Sequence, residues 1–336
     1  MYTLSVEKIR VVLYGVGAIG RLVAKTLLEK SGVEIVGAID IDPKKIGRDL
    51  GDLIGLERKL GVIISDKVDE VISKGKPHVV IHMTRSYLKD VYDQLVELIK
   101  YGVNVISTCE ELSYPYIVDM KKAEELDRLA KQHGCTVLGT GINPGFLMDT
   151  LPIVLTSPCI KVDKISITRV INASTRRGPF QKKIGLGLDP NEYKVKLEKG
   201  ELTGHVGYAE SVLLMASILG LKVDRVVEAQ EPIIAKERLE TEYFKIEPGK
   251  VAGSQGYGIG YHGGRAIIEV RFIAAVGVED YEEYVLEGEP TIKWRSSGTP
   301  GDIATAAVVV NTAVVVLDSK PGLLTMKDIL PSYRVL

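Results

Sequence analysis

The sequence predicts an α/β protein: an N-terminal doubly wound parallel sheet followed by a second α/β domain with a mixed or antiparallel sheet. Three observations carry that prediction. Strand and helix signals alternate through the first 150 residues, which implies right-handed βαβ crossovers and a sheet covered on both faces. The run Gly15-Val16-Gly17-Ala18-Ile19-Gly20 follows the first strand directly. From about Val162 the rhythm changes to longer strands. With 336 residues there is core enough for two domains. We expect boundaries at 1–150, 151–300 and 301–336, the last segment being a helix and tail that pack back on the first domain.

In the first domain, Lys8–Tyr14 is a β-branched apolar run, and Arg21–Glu29 carries Leu22, Val23, Leu27 and Leu28 at helical spacing. Glu34–Ile39 reads as a second strand, Gly61–Ile64 as a weaker one and His78–His82 as another. Lys89–Lys100 reads as a helix, Val103–Ser107 as a strand, Ile117–His133 as a long helix and Thr136–Gly139 as a short strand. In the second domain, Ile165–Ile171, Arg225–Ala229, Glu242–Phe244, Ala266–Val276 and Glu283–Leu286 read as strands, with a helix at Ser211–Leu219. Gly253–Gly264 holds six glycines in twelve residues and reads as a flexible loop. Asp302–Leu317 is apolar nearly all round, hence a buried helix.

Composition excludes several classes. Forty-three basic against 44 acidic residues, a net charge of -1, argues against a nucleic-acid or polybasic membrane partner. Cys109, Cys135 and Cys159 are widely spaced and odd in number, so neither a disulfide framework nor a CxxC site is expected, and a reducing cytoplasm fits best. The N-terminal apolar run is too short for a signal peptide, and Ile303–Leu317 is shorter than the ~20 residues of a membrane span. No His, Cys and Asp cluster has metal-ligand spacing. The charged fraction of 26% with few glutamines points weakly to a thermophile.

The glycine motif sits in the strand–turn–helix context that a dinucleotide needs. Gly15 allows a tight turn, Gly17 close approach of a pyrophosphate and Gly20 close packing of helix on strand. Ala18 and Ile19 open a helix whose N-terminal amides offer donors. Asp40 ends the second strand, where a carboxylate accepts hydrogen bonds from ribose hydroxyls and repels a 2′-phosphate. It favours NAD, while Lys44 and Lys45 soften the preference and leave NADP open. Thr84 and Arg85 after the fourth strand, and Thr108 and Cys109 after the fifth, lie at strand ends where the rest of a nucleotide belongs.

Five further segments carry a family resemblance: Ser107–Tyr116 (STCEELSYPY), Gly139–Phe146 (GTGINPGF), Asn172–Gly185, Gly204–Ser211 and Gly301–Asn311. With the glycine motif, they make the chain resemble the 2,4-diaminopentanoate dehydrogenases and native amine dehydrogenases over nearly its whole length. The resemblance implies a dihydrodipicolinate reductase-like fold: a Rossmann domain, then an α/β domain that binds substrate and makes a homodimer. It also implies reversible oxidative deamination of an amine with NAD or NADP.

The residues suit that chemistry. Hydride removal from an amine carbon leaves an iminium that water attacks, so a carboxylate must hold the cation and move a proton. In the family a glutamate of this motif is the acid–base. Glu110 is our assignment and Glu111 stays open, since an acidic first turn also complements a helix dipole. Asn143, in Asn143-Pro144-Gly145, is a candidate for cofactor or substrate. Asn172, Arg176 and Arg177 are substrate candidates, the arginines suiting a carboxylate. His205 and His262, between glycines, and Thr299 before Pro300 are weaker ones; Thr299 could instead cap the last helix. His78, His82 and His133 read as structural.

Rival readings remain. Cys109 is the serious candidate for a cysteine-nucleophile dehydrogenase. A dihydrodipicolinate reductase proper would carry a paired-histidine and lysine segment not found here. A non-enzymatic NAD-sensing module would not need Glu110, paired arginines and a glycine-rich lid together.

Overall fold

The computed structural model describes residues 8–329, which form two compact units: 8–146 with 301–329, and Leu147–Pro300. The tail from residue 330 onward lies outside the described residues.

The first unit alternates as its sequence requires: β1 (Ile9–Tyr14), α1 (Ala18–Leu28), β2 (Val33–Ile39), α2 (Leu50–Ile54), β3 (Ile64–Ser65), α3 (Val68–Gly75), β4 (Val79–His82), α4 (Leu88–Ile99), β5 (Asn104–Ser107), α5 (Met120–His133) and β6 (Thr136–Gly139). Val11, Val12 and Leu13 of β1 are wholly buried, as a central strand covered on both faces must be. The long helix starts at Met120, not Ile117, because Pro115 opens a separate 3₁₀ turn and the Asp119 side chain accepts the Lys122 N–H at 3.1 Å as the cap. It stops at Gly134, whose φ is +68°.

The second unit contains α6 (Thr150–Leu155), β7 (Lys161–Asn172), α7 (Gly178–Lys183), α8 (Pro190–Glu198), α9 (Tyr208–Leu219), β8 (Arg225–Ile234), β9 (Leu239–Glu240), β10 (Lys245–Ile246), β11 (Val251–His262), β12 (Arg265–Ala275), β13 (Tyr281–Glu289) and β14 (Ile292–Ser296). Its six-stranded sheet runs β14-β13-β7-β12-β11-β8; β7 and β12 are parallel and the other neighbours antiparallel, so it is mixed.

Two expectations fail here. Gly253–Gly264 is not a loop. Most of it is β11, hydrogen-bonded on both edges, and a Cβ on Gly258 would lie 2.8 Å from Tyr208 Cβ, one on Gly260 2.7 Å from Val212 Cγ1. Alternate glycines thus let α9 lie directly on the sheet. Glu242–Phe244 is a turn between β9 and β10, where Thr241 Oγ1 accepts the N–H groups of Tyr243 and Phe244.

The chain then returns to the first unit with α10 (Gly301–Val315) and β15 (Gly322–Leu324). The completed sheet runs β15-β6-β5-β4-β1-β2-β3, all parallel, with its reversal between β1 and β4. By length and composition Gly301–Asp318 could cross a membrane; here α10 packs on α1, β4 and β5, burying Val309 and Val310. Its burial is one-sided, for Ile303 stays 65% exposed.

Candidate active site

Ligands of a doubly wound sheet bind outside the carboxyl ends of the strands, at the reversal of strand order. Loops from β1, β4 and β5 meet there. Gly15 has φ +92°, and a Cβ on it would come within 2.5 Å of Met83 O; a Cβ on Gly20 would collide with the Gly15 carbonyl. The fold itself demands both glycines. Gly17 differs: nothing lies within 4 Å of where its Cβ would stand. Gly17 is also the N-cap of α1 and offers no side-chain acceptor, so the amides at Ala18 and Ile19 begin the helix without a side-chain cap. Open space before an uncapped helix N-terminus fits a pyrophosphate.

Asp40, at the end of β2, is 8% exposed. One oxygen accepts the Asp42 N–H at 2.9 Å; the other accepts the Val16 N–H and Lys45 Nζ, each at 2.8 Å. Burial pushes this carboxyl up, but the hydrogen bonds from Lys45, Asp42 and Val16 outweigh it and hold it below its ordinary value. The carboxylate is therefore already partnered, with a cation directly on it.

After β4 and β5 the two loops are tied together. The Ser86 carbonyl accepts the Glu111 N–H at 3.2 Å and the Cys109 thiol at 3.2 Å. Cys109 is 2% exposed, and burial pushes its thiol far above the ordinary range. The rival reading of Cys109 as a nucleophile is thereby disfavoured: its side chain faces the core and its thiol is held protonated. The Thr84 hydroxyl donates to Gln94 Oε1 at 2.9 Å, the Thr108 N–H donates to His82 O at 3.0 Å, and Arg85 is exposed.

The glutamate pair separates clearly. Glu110 opens a 3₁₀ turn, Glu110–Ser113. The Glu111 carboxylate accepts the Leu88 N–H at 2.6 Å and so caps the N-terminus of α4. Burial raises the Glu111 carboxyl despite that bond. Asn143 lies half-buried in the turn after β6, joined to Pro144 by a cis peptide. Gly145, at φ +120°, lets the turn fold onto Gly141.

In the second unit the candidates divide. Asn172 Oδ1 accepts the Ser174 N–H at 2.9 Å, and its own N–H donates to Asp280 at 2.5 Å; its side chain caps a 3₁₀ turn. Arg176 stacks on Phe180, 4.8 Å from guanidinium to ring, and Arg177 precedes α7. The His205 ring lies 4.8 Å from both Tyr208 and Phe272, and burial with Lys183 and Arg169 nearby drives it well below its ordinary pKa. His262 belongs elsewhere. It pairs with Asp224 in the β11–β12 hairpin, at the Arg265 end of β12, whereas Asn172 pairs with Ala275 at the other. Ten residue steps of strand, ~33 Å, separate those ends, so His262 does not share a site with Arg176. Thr299 neither caps α10 nor points outward: its N–H and hydroxyl donate to the Glu282 carboxylate.

Arg169 is the side chain the sequence reading missed. It is 2% exposed, its Nε 3.3 Å from Glu282 Oε1 without hydrogen-bond alignment, while an Nη donates to Thr299 O at 3.0 Å. Burial lowers its pKa and Glu282 opposes the shift. It stands in the row Phe272–Arg169–Glu282–Ser296 across four strands. The signal was present: Ile165, Ile167, Arg169 and Ile171 alternate, and an arginine on a buried face must be paired. Among the described residues no three His, Cys, Asp or Glu side chains group as metal ligands.

Comparison with known proteins covers nearly the whole chain. A profile for the 2,4-diaminopentanoate dehydrogenase C-terminal domain matches residues 146–335, and one for the dihydrodipicolinate reductase N-terminus matches 9–136. A 2,4-diaminopentanoate dehydrogenase of Acetoanaerobium sticklandii is 35% identical, covering 96% of this chain and 94% of its own. The amine dehydrogenase structure from Mycobacterium smegmatis superposes with a TM-score of 0.86 at 30% identity, covering 97% of each chain. Dihydrodipicolinate reductase from Paenisporosarcina, at 13% identity and a TM-score of 0.55, shares the fold alone.

Proposed function

The chain belongs to the 2,4-diaminopentanoate dehydrogenase family, and from that premise we propose that it catalyses the reversible NAD(P)-dependent oxidative deamination of a diamino acid or simple amine. The bound cofactor supplies the hydride acceptor. This chain's residues do the rest. The helix N-terminus behind Gly17 would hold the pyrophosphate, and Asp40 with Lys45 would meet the adenosine ribose. We assign Glu110 to the reacting carbon: its charge would stabilise the developing iminium, and its carboxylate would take the proton from the attacking water. Ketone or aldehyde and ammonia leave. In the reverse direction the same carboxylate returns the proton.

The observation that supports this reading is the bond from the Leu88 N–H to the Glu111 carboxylate: it accounts for Glu111 as a helix cap, and we take the adjacent Glu110 as the acid–base. On the second unit, Arg176 and Arg177 offer a substrate carboxylate its counter-charge. His205, held below its ordinary pKa by burial and by Lys183 and Arg169 nearby, can hydrogen-bond substrate without adding charge.

The open face of the six-stranded sheet, opposite α9, carries Tyr257, Ile259, Ile273 and Val285, each half-exposed. We assign the homodimer contact to it. Cys109, Cys135 and Cys159 are all free thiols, which accords with a reducing cytoplasm.

The test is NAD(P)H oxidation with ammonia and a panel of oxo-acids, plain ketones and aldehydes. Turnover that requires both ammonia and a carbonyl is the expected result. Reduction of a cyclic imine, with no ammonia-dependent turnover of any carbonyl, would replace this reading with a dihydrodipicolinate reductase-like one.

A further inference from the structure

A chain of polar side chains that the proposed chemistry does not use lies at the carboxyl ends of β4 and β5. His82 ends β4 and Ser107 ends β5, and both are 0% exposed. A buried imidazole must be partnered at both nitrogens. Nδ1 lies 2.9 Å from Ser107 Oγ; Nε2 lies 2.7 Å from Gln94 Oε1 and 3.0 Å from Thr84 Oγ1. An amide oxygen only accepts, so the ring hydrogen is on Nε2 and Nδ1 carries the lone pair. The Ser107 hydroxyl therefore donates to Nδ1, which leaves its oxygen to accept the Cys109 N–H at 3.1 Å. Cys109 is the residue before Glu110.

The imidazole is thus bonded, on one side, to the turn that presents Glu110 and, on the other, to the Gln94–Thr84 pair that anchors the loop after β4. We propose that His82 is a positioning residue: through Ser107 and the Cys109 amide it orients the Glu110 turn, and through Gln94 and Thr84 it registers that turn against the β4 loop. This rests on the reading of Glu110 as the acid–base. A group that only filled space here would affect stability and leave the turn's geometry alone, whereas a misplacement of about 1 Å at a reacting group costs ~10²-fold in rate.

The experiment compares Ser107→Ala, His82→Asn and His82→Leu with Glu110→Gln as reference. Asparagine keeps an acceptor near the Nδ1 position for the Ser107 hydroxyl and drops the Gln94 arm. Three readouts are taken: kcat for ammonia-dependent turnover, NADH affinity by fluorescence titration, and amide hydrogen exchange over residues 107–113 in the cofactor-free protein. Ser107→Ala should lower kcat roughly tenfold or more and speed exchange over 107–113, with NADH affinity held within about twofold. His82→Asn should restore most of the kcat that His82→Leu loses. If His82→Leu does not fold, the other two variants decide. Normal kcat and unchanged exchange in Ser107→Ala, whatever happens to Tm, overturns the inference while Glu110→Gln is inactive. Normal turnover in Glu110→Gln overturns the reading of Glu110, and this inference with it.

Discussion

Lys45 Nζ lies 2.8 Å from Asp40 Oδ2, the same oxygen that accepts the Val16 N–H. The carboxylate that would turn away a 2′-phosphate is therefore half-neutralised by its own neighbour, and the lysine side chain is 16% exposed. Removing the cation should sharpen the choice of cofactor. We expect Lys45→Gln to weaken NADPH about fivefold while NADH changes little, the effect of losing ~1 kcal/mol of attraction. Asp40→Ala should weaken NADH more than NADPH and narrow the gap. Titration of both reduced cofactors checks this; an unchanged ratio in both variants removes the pair from the ribose site.

The glycine motif offers a cleaner separation. Gly17 faces open space whereas a Cβ on Gly20 would strike the Gly15 carbonyl. Gly17→Ala should keep its Tm and lose affinity for NADH and NADPH alike. Gly20→Ala should lose stability first, by ~1–3 kcal/mol as overpacking does. Equal Tm losses in the two would mean that Gly17 has a structural role as well.

Glu110 and Glu111 are adjacent in sequence, and the proposed mechanism gives them opposite uses. Removing a positioned acid–base typically costs ~10²–10⁴-fold, and that loss is expected of Glu110→Gln with cofactor affinity intact. Glu111→Ala removes the acceptor of the Leu88 N–H and should cost ~1 kcal/mol as a lost helix cap, with kcat nearly unchanged. Steady-state amination and urea denaturation on both variants settle the assignment. An inactive Glu111 variant beside an active Glu110 one would shift the register by one residue.

Much of this was readable in the sequence, and the failures have physical causes. β6 at Thr136–Gly139 and β1 fall where apolar runs and punctuation put them, because a doubly wound sheet writes its period locally. β11 was misread since the glycines at 256, 258 and 260 lack side chains not from flexibility but because Tyr208 and Val212 fill the space, a fact that belongs to α9. α8 was passed over although Asp189, which accepts the Asn191 N–H, and Pro190 form an ordinary start signal. At the site, residue types pointed to Glu110, Glu111 and Arg176, but not to the bond that makes Glu111 a helix cap, which depends on Leu88, 23 residues away. The partners of Thr299 and Asn172, Glu282 and Asp280, were hidden for the same reason: they lie far away in sequence.

Arg176 and Arg177 can be told apart from the buried Arg169 by what their loss does. Arg169 pairs with Glu282 at 2% and 1% exposure, so Arg169→Met should destabilise by ~3–5 kcal/mol, since it leaves a buried carboxylate without its counter-charge. Arg176→Ala and Arg177→Ala should fold. At least one of them should raise KM for amino-acid substrates and leave simple amines nearly untouched. Equal losses on both substrate classes would point to cofactor or folding effects in place of carboxylate recognition.

Acid should destabilise the protein through its buried histidines before Asp40 titrates. Burial drives His82 down from its ordinary 6.5 to about 4, and the hydrogen bond to Gln94 opposes the shift without reversing it. Between those two values the unfolded chain binds a proton at this position and the folded chain does not. Stability therefore rises with pH across the window: it is complete above about 6.5, falls as pH drops, and the loss levels off below about 4. A displacement of that size corresponds to ~3 kcal/mol at most. His205, lowered by burial with Lys183 and Arg169 nearby, works in the same direction. Asp40, held below its ordinary 3.8, loses its contribution only at lower pH, outside this window. Urea midpoints at several pH values between 7 and 4.5 test the argument on the parent and on His82→Asn. The parent should lose stability steadily through the window and the variant should lose less. Superimposable slopes would show that the imidazole already titrates in the folded state, and the buried, neutral His82 would have to be abandoned.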